Sequence, residues 1–134
     1  MALTRELEST LGLAARSAAG NAHSPYSKLR VGAAVLTDSD EVFHGCNVES
    51  ASYGLTCCAE RAALFSAIAA GHLAGSITAI VIYVPGERAF TACGACRQII
   101  SELMLPDAPV ISICDGSDRI EWTVADCLPS PFSL

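Results

Sequence analysis

Apolar and polar positions follow two different periods along this chain, one typical of helices and one of strands. Apolar residues recur every three or four positions between residues 4 and 19, which predicts an amphipathic helix. Two apolar stretches, 31–36 and 42–48, flank the polar residues 38–40 and predict a β-hairpin. The polar segment 49–56 that follows predicts a loop.

The second half of the chain predicts two more helices and three more strands. An Ala-rich stretch starts at Cys58 and ends at Gly71, a residue type common just after helix C-termini, so it predicts a second helix. A third helix is predicted from 94 to 105, before Pro106. Strands are predicted at 77–84, 110–114 and 120–124. The first of these is apolar and β-branched, as expected for a central strand covered on both faces.

The predicted order α-β-β-α-β-α-β-β indicates an α/β fold. It favours a three-layer α/β/α sandwich with a mixed sheet of about five strands. A chain of 134 residues fits one domain, so we expect a single domain over residues 1–134.

Composition and charge narrow the choice of partners. The chain is 51% hydrophobic and 16% charged, so we expect some apolar surface to be covered by other copies of the chain. Its net charge of −6, without a basic cluster, disfavours nucleic acid and anionic membranes as partners. Charged residues near the N-terminus interrupt the apolar run of a signal peptide, and no run has the length of a membrane span, so we expect a cytoplasmic protein.

Three of the seven cysteines lie where helices are predicted to begin. Cys58 opens the second helix, and Cys93 and Cys96 form a C-x-x-C motif that opens the third. Unpaired N–H groups and the helix dipole stabilise thiolates at such positions. The C-x-x-C motif is the usual half-site for zinc, so we expect Cys93 and Cys96 to bind a zinc ion. Cys58 would then be the third ligand.

Glu60 indicates what such a site could do. Side chains at a helix start lean toward the N-terminus, so Glu60 and Cys58 can both approach a metal beyond the helix end. Three thiolates, an open fourth position and a nearby carboxylate are typical of catalytic zinc. The C-x-x-C motif alone also fits a redox pair or half of a zinc ribbon. The redox pair requires no third cysteine, and the ribbon requires a second C-x-x-C pair that Cys57 and Cys58 cannot provide.

The remaining cysteines and the histidines have simpler interpretations. We expect Cys57 to be a small packed apolar residue. We expect three further cysteines to lie in the core: Cys46, Cys114 and Cys127. None of the histidines has ligand spacing, and we expect surface or hydrogen-bonded positions for His23, His44 and His72.

Four segments resemble, in order, the small homotetrameric zinc-dependent cytidine deaminases: PYSKLRVGAAV, GCNVESASYGLTCCAERAA, ACGACRQII and LPSPF. The resemblance covers almost the whole chain. It implies conversion of cytidine and deoxycytidine to uridine and deoxyuridine, with release of ammonia, in pyrimidine salvage. It also implies one Zn²⁺ per subunit, bound by Cys58, Cys93 and Cys96, with Glu60 as the proton shuttle.

The same resemblance implies a set of substrate-binding residues. Asn47 and Glu49 match the residues that bind the ribose, and their i, i+2 spacing in an extended segment lets both face one pocket. The backbone N–H of Ala59 matches the group that contacts the pyrimidine carbonyl. Arg61 matches a residue that hydrogen-bonds the ligand thiolates and offsets their charge.

Two matching residues imply sites shared between subunits. Tyr53 resembles a residue near the sugar at a subunit boundary, and Phe132 resembles an aromatic residue that covers the base of a neighbouring subunit's substrate. Pro129 and Pro131 keep the segment that carries Phe132 extended.

The chain departs from the family pattern at two positions. Leu29 stands where the family usually has an aromatic residue near the base, and Ala92 stands where it usually has Pro. The preferred nucleoside therefore stays open at this point. The alternatives are a deaminase of a modified cytosine nucleoside or another amino-heterocycle, and a noncatalytic zinc-binding interaction domain.

Overall fold

A computed structural model describes residues 3–134 of the chain. Its elements are α1 (Arg5–Ala19), β1 (Gly32–Thr37), β2 (Val42–Cys46), α2 (Ala59–Ala69), β3 (Ile77–Tyr83), α3 (Gly94–Leu103), β4 (Pro109–Ile113), β5 (Arg119–Thr123) and α4 (Val124–Cys127). A short 3₁₀ turn, Tyr53–Leu55, lies within the predicted loop. Each predicted helix and strand is present, with boundaries that differ by a few residues.

The five strands form one mixed sheet in the order β2-β1-β3-β4-β5. Strands β3 and β4 are parallel and the other neighbours are antiparallel. Because β2 and β3 are both antiparallel to β1, their carboxyl ends lie at the same edge of the sheet. The start of β1 lies between them, since Gly32 pairs with both Cys46 and Tyr83.

Helices cover both faces of this sheet, which confirms the predicted three-layer sandwich. On one face α1 buries apolar residues against β1, β3 and β4: Leu11, Ala15, Ala19, Ala34, Val81 and Ile111. On the opposite face α2 and α3 pack against the alternate residues of the same strands: Val35, Ala63, Leu64, Ile80, Ile100 and Val110. Strand β3 is buried along almost its whole length, as expected for a central strand.

Two glycines let the helices approach the sheet closely. A Cβ added to Gly32 would lie 1.8 Å from the Ala15 carbonyl oxygen of α1. A Cβ added to Gly45 would lie 2.5 Å from the Ala63 nitrogen of α2. Any other residue at either position would push a helix away from its strand. Gly45 therefore helps to place the N-terminal end of α2 beside the edge where β2 and β3 end.

The structure differs from the sequence-based expectations in several details. The third helix ends at Leu103 because Met104 has an extended backbone, with φ −121° and ψ 155°. The last strand stops at Thr123 because that residue caps α4 together with Asp126. Cys114 and Cys127 are buried, but the prediction for Cys46 was wrong: it is half-buried, because β2 is an edge strand.

The histidines occupy the kinds of position expected for them. His23 and His44 are exposed, and His72 Nε2 lies 2.9 Å from Glu41 Oε2. Within residues 3–134, no helix combines the length and apolar character that a membrane crossing requires.

Candidate active site

The N-termini of α2 and α3 bring three thiols together. Cys58 is the N-cap of α2 and Cys93 the N-cap of α3, while Cys96 lies in the first turn of α3. Their sulfur atoms all lie within 4.8 Å of one another, and the Cys58 and Cys93 sulfurs are 3.7 Å apart. Tetrahedral zinc with Zn–S bonds of about 2.3 Å separates its sulfur ligands by about 3.8 Å. The spacing of the thiols therefore fits one Zn²⁺. Cys57 lies outside this group, and its Sγ is directed to the Cys58 carbonyl oxygen at 3.6 Å.

The environment of the three sulfurs favours a thiolate at Cys58. Neither Cys58 nor Cys93 uses its side chain to cap its helix, so unpaired N–H groups remain near the sulfurs. A hydrogen bond with Cys96 lowers the pKa of the Cys58 thiol to about 5. The same hydrogen bond, together with burial, raises the pKa of Cys96. The pair thus shares a proton that a metal ion would displace.

Arg61 is the cation next to the thiols. Its Nη2 lies 3.3 Å from Cys58 Sγ and also donates to the Thr56 carbonyl oxygen at 3.3 Å. The hydrogen bond to Cys58 raises the pKa of the guanidinium, which therefore stays charged. Its Nε is buried and has no hydrogen-bond partner among residues 3–134. This unpartnered donor fits a site completed by anionic ligands, because three thiolates with one Zn²⁺ carry a net charge of −1.

Glu60 lies in the first turn of α2 and is only 5% exposed. Burial raises the pKa of its carboxyl group, and the negative charge of Cys58 acts in the same direction. A carboxyl group with a raised pKa holds a proton more readily than an ordinary carboxyl group, which suits a general acid and base.

A cavity of about 260 Å³ connects Glu60 with the residues expected to bind substrate. It lies beside the carboxyl ends of β2 and β3, the usual position of ligand sites in α/β sheets. Seven of the residues proposed from the sequence line it: Leu29, Asn47, Glu49, Cys58, Ala59, Glu60 and Cys93.

Asn47 is buried and holds the segment before β1. Its Oδ1 accepts a hydrogen bond from the Val31 N–H at 2.8 Å, and its Nδ2 donates to the Leu29 carbonyl oxygen at 2.8 Å. The amide therefore fixes the backbone on both sides of Arg30. One N–H of Nδ2 stays available for a ligand, since an amide group carries two donor hydrogens.

Glu49 is held by the same segment. Its Oε1 accepts hydrogen bonds from the N–H groups of Tyr26 at 3.0 Å and Ser27 at 3.1 Å. The Ser27 hydroxyl donates to Oε2. The hydrogen bond from Ser27 lowers the pKa of the Glu49 carboxyl group, so Glu49 is ionised near neutral pH.

Two residues predicted to bind substrate lie outside the cavity of their own chain. Tyr53 is 79% exposed, and its ring meets the Tyr26 ring edge-on with the centroids 6.4 Å apart. Phe132 is 70% exposed, and its carbonyl oxygen accepts a hydrogen bond from Gln98 Nε2 at 3.0 Å. Neither ring lines the cavity that contains Glu60.

The sequence analysis missed several residues that line the cavity, chiefly Ser27, Val31, Thr56, Val84, Phe90 and Thr91. Phe90 is the aromatic ring in this wall, and it is an isolated aromatic residue in the segment between β3 and α3. A single aromatic residue in a loop between two elements is a local signal that could have indicated Phe90 as a cavity residue. Ser27 carries no such signal, because its contact with Glu49 depends on the fold of the intervening chain.

Comparisons with known proteins agree over most of the chain. Residues 5–112 match the family model described as the cytidine and deoxycytidylate deaminase zinc-binding region. A cytidine deaminase of Sporosarcina psychrophila is 41% identical over 118 residues, which cover 88% of this chain and 85% of that protein. The cytidine deaminase of Halalkalibacterium halodurans is 43% identical over 112 residues, 84% of this chain and 83% of that protein.

The fold comparison gives the same result. The crystal structure of a cytidine deaminase from Burkholderia pseudomallei matches this fold with a TM-score of 0.90 and 44% identity. The match covers 97% of this chain and 100% of that one.

Proposed function

The chain belongs to the cytidine and deoxycytidylate deaminase family, and we propose that it is a zinc-dependent hydrolase of pyrimidine salvage. It converts cytidine and deoxycytidine to uridine and deoxyuridine and releases ammonia. One observation carries this proposal: the cluster of three thiols borders, through Cys58 and Cys93, the cavity that the buried Glu60 also lines. The family's zinc-binding region and this donor set support one Zn²⁺ per subunit as the cofactor.

Cys58, Cys93 and Cys96 would hold the ion through their sulfur atoms. When bound, Zn²⁺ supplies a Lewis acid that makes a water molecule nucleophilic near neutral pH. The helix N-termini stabilise the thiolates, and Arg61 draws negative charge from Cys58 through its 3.3 Å contact. An ion held by these three sulfurs would therefore keep enough positive charge to act as a Lewis acid.

Glu60 moves the protons of the reaction. It accepts a proton from the attacking water and donates it to N3 of the pyrimidine, while the water oxygen adds to C4. The second proton of the water then passes through Glu60 to the amino group on C4. The C–N bond breaks, ammonia leaves, and N3 keeps its proton in the uridine product. A buried carboxyl group with a raised pKa suits both acceptance and donation.

The substrate lies between the base-binding and sugar-binding residues of the cavity. The Ala59 N–H contacts the pyrimidine carbonyl, Leu29 packs against the base, and Asn47 and Glu49 bind sugar hydroxyls. Support comes from the position of all four residues on the wall of the cavity that contains Glu60. A donor hydrogen on Asn47 Nδ2 beside the Glu49 acceptor suits sugar hydroxyls and favours a nucleoside over the free base.

The active sites are shared between the subunits of a homotetramer. Helix α2 exposes Phe65 and Ile68 on the side away from the core, and a helix that is apolar on all sides is usually covered by another element. Tyr53 lies near the sugar at a subunit boundary, and Phe132 covers the base in a neighbouring subunit. The high exposure of both rings supports these roles. The enzyme acts in the cytoplasm as one domain over residues 1–134, and neither nucleic acid nor a membrane is its partner.

An absorbance assay of cytidine deamination tests the proposed activity. The zinc-loaded protein should convert cytidine and deoxycytidine, and the protein treated with a chelator should not. A noncatalytic zinc-binding interaction domain would bind zinc without any turnover. A much higher kcat/KM for a modified cytosine nucleoside or another amino-heterocycle would favour the related-deaminase alternative. Leu29→Phe should lower the KM for cytidine if the cavity lacks only an aromatic surface at that position.

Mixed subunits test the shared site. Phe132→Ala should mainly raise KM, by roughly twofold to tenfold, because an aromatic contact contributes about 0.5–1.5 kcal/mol beyond burial. Inactive Glu60→Gln chains assembled with Phe132→Ala chains should regain some normal sites. In those sites an intact Glu60 meets an intact Phe132 from a neighbour. A fully active monomer, measured by sedimentation, would contradict the shared site.

A further inference from the structure

The Glu49 carboxylate is already hydrogen-bonded on both oxygens by the segment that precedes β1. Two backbone N–H groups, from Tyr26 and Ser27, reach Oε1 at 3.0 and 3.1 Å. The Ser27 hydroxyl donates to Oε2. Ser27 thus contacts both oxygens, one through its backbone and one through its side chain.

The Ser27 hydroxyl is itself held in one orientation. The Leu29 N–H donates to Ser27 Oγ at 3.0 Å. Because the oxygen accepts this bond, its single hydrogen is free to be given to Glu49. The intervening Lys28 has a left-handed backbone with φ 63°, an uncommon conformation for a residue other than glycine. The left-handed backbone at Lys28 turns the chain so that the Leu29 N–H points toward Ser27. The Lys28 N–H also donates to the Ser24 carbonyl oxygen at 3.0 Å.

Glu49 keeps some capacity for a ligand. An ionised carboxylate has about four lone-pair positions, and the segment fills three of them. The position left is on Oε2, since Oε1 accepts two hydrogen bonds. Ser27 and Glu49 both line the cavity that contains Glu60.

We propose that Ser27 is a positioning residue for the substrate sugar: its hydroxyl orients Glu49 so that Oε2 accepts a hydrogen bond from a sugar hydroxyl. This inference rests on the proposed sugar-binding role of Glu49. Binding of the sugar then requires no reorientation of a free carboxylate, which is how preorganisation improves affinity.

The expected effect is on binding and leaves the chemical step unchanged. The sugar lies apart from C4 and N3, where Glu60 acts, so the interaction is equally strong before and during the reaction. Loss of such an interaction raises KM and leaves kcat unchanged. A hydrogen bond to a charged group is strong enough that Ser27→Ala should raise KM for cytidine roughly tenfold.

Two matched variants accompany Ser27→Ala. Ser24→Ala removes a hydroxyl from the same loop. Ser24 lines a surface hollow that does not include Glu49, so this variant should leave KM unchanged. Ser27→Thr keeps the hydroxyl and should recover most of the affinity. Zinc content and melting temperature, measured for each variant, establish that the proteins are folded and loaded.

Substrate analogues separate positioning from general damage. KM and kcat are measured with cytidine, 2′-deoxycytidine and 3′-deoxycytidine for the wild type, Ser27→Ala and Glu49→Gln. The KM penalty of Ser27→Ala should disappear for the analogue that lacks the hydroxyl accepted by Glu49. Glu49→Gln should lose its penalty with that same analogue. Equal penalties for all three substrates, or a lower kcat at unchanged KM, would overturn the proposal.

The same measurements distinguish this inference from the proposed function. If Glu49→Gln leaves KM for cytidine unchanged, the sugar-binding role of Glu49 fails and the role of Ser27 fails with it. If Glu49→Gln raises KM and Ser27→Ala does not, the sugar-binding role stands and only the positioning role is wrong.

Discussion

The helix N-termini of this protein are of two kinds. Helix α1 begins with Thr4, whose Oγ1 accepts a hydrogen bond from the Leu7 N–H at 3.2 Å, and its first turn carries Glu6 and Glu8. Helices α2 and α3 begin with Cys58 and Cys93, and neither side chain makes a cap hydrogen bond. The first arrangement satisfies the free N–H groups of the helix locally, and the second leaves them for anionic sulfur.

The difference suggests that the N-terminus of α1 serves stability, whereas the N-termini of α2 and α3 serve metal binding and chemistry. A polar N-cap stabilises a protein by about 1 kcal/mol, and α2 and α3 lack that contribution. Metal binding can replace it, because a bound ion stabilises only the folded state. We therefore expect substitutions at the α1 terminus to change stability alone, and substitutions at the α2 and α3 termini to change metal content and activity.

Cys93→Ala should have the largest effect. Removing one of three thiolates should release zinc, abolish turnover and lower thermal stability, since the ion links the starts of α2 and α3. Metal content by mass spectrometry and the melting temperature measure the change. Cys114→Ala, at a buried thiol outside the cluster, is the control and should keep both zinc and activity. A stable, zinc-replete Cys93→Ala protein would show that Cys93 is not a ligand.

Glu60→Gln should separate chemistry from metal binding. The amide cannot carry protons, so kcat should fall about 10²–10⁴-fold while zinc content stays unchanged. Stability should not fall, because burial raises the pKa of Glu60 and thereby disfavours its charged form. Glu6→Gln changes a carboxylate in the first turn of α1 and should leave kcat unchanged. A near-normal rate for Glu60→Gln would exclude the proton-shuttle role.

Thr4→Ala should change stability alone. Loss of the cap hydrogen bond to Leu7 should lower the free energy of unfolding by about 1 kcal/mol. Urea denaturation measures this loss, and zinc content and kcat should match the wild type. If Thr4→Ala also released zinc, the two kinds of helix terminus would not be independent.

Ala92→Pro should have the smallest effect. Ala92 precedes the cap of α3, and its carbonyl oxygen accepts a hydrogen bond from Arg97 Nε at 2.7 Å. Within residues 3–134 its own N–H donates no hydrogen bond, so proline removes none. The substitution should raise stability by about 0.4–1 kcal/mol by restricting the unfolded chain. A clear loss of stability would mean that the backbone at residue 92 does not suit proline.

The metal-site prediction and the α4 helix illustrate what a local pattern can predict. The C-x-x-C motif and Cys58 could be placed at helix starts, because helix boundaries depend on residues within one or two turns. Helix α4 was missed although Thr123 and Asp126 form a capping box, which is also a local signal. Burial of Cys46 was wrongly expected because strand order, which makes β2 an edge, is not visible in a local pattern.

By itself, the sequence determined which thiols could bind a metal ion, their spacing, and the presence of Glu60 beside Cys58. Those features depend on helix geometry over a few residues. Only the tertiary structure decided that Glu49 meets Tyr26 and Ser27, which lie 23 and 22 residues earlier in the chain. That contact depends on the sheet order and on the path of the chain before β1. The physical reason is that contacts between distant residues are set by the packing of whole elements, so no short stretch of sequence encodes them.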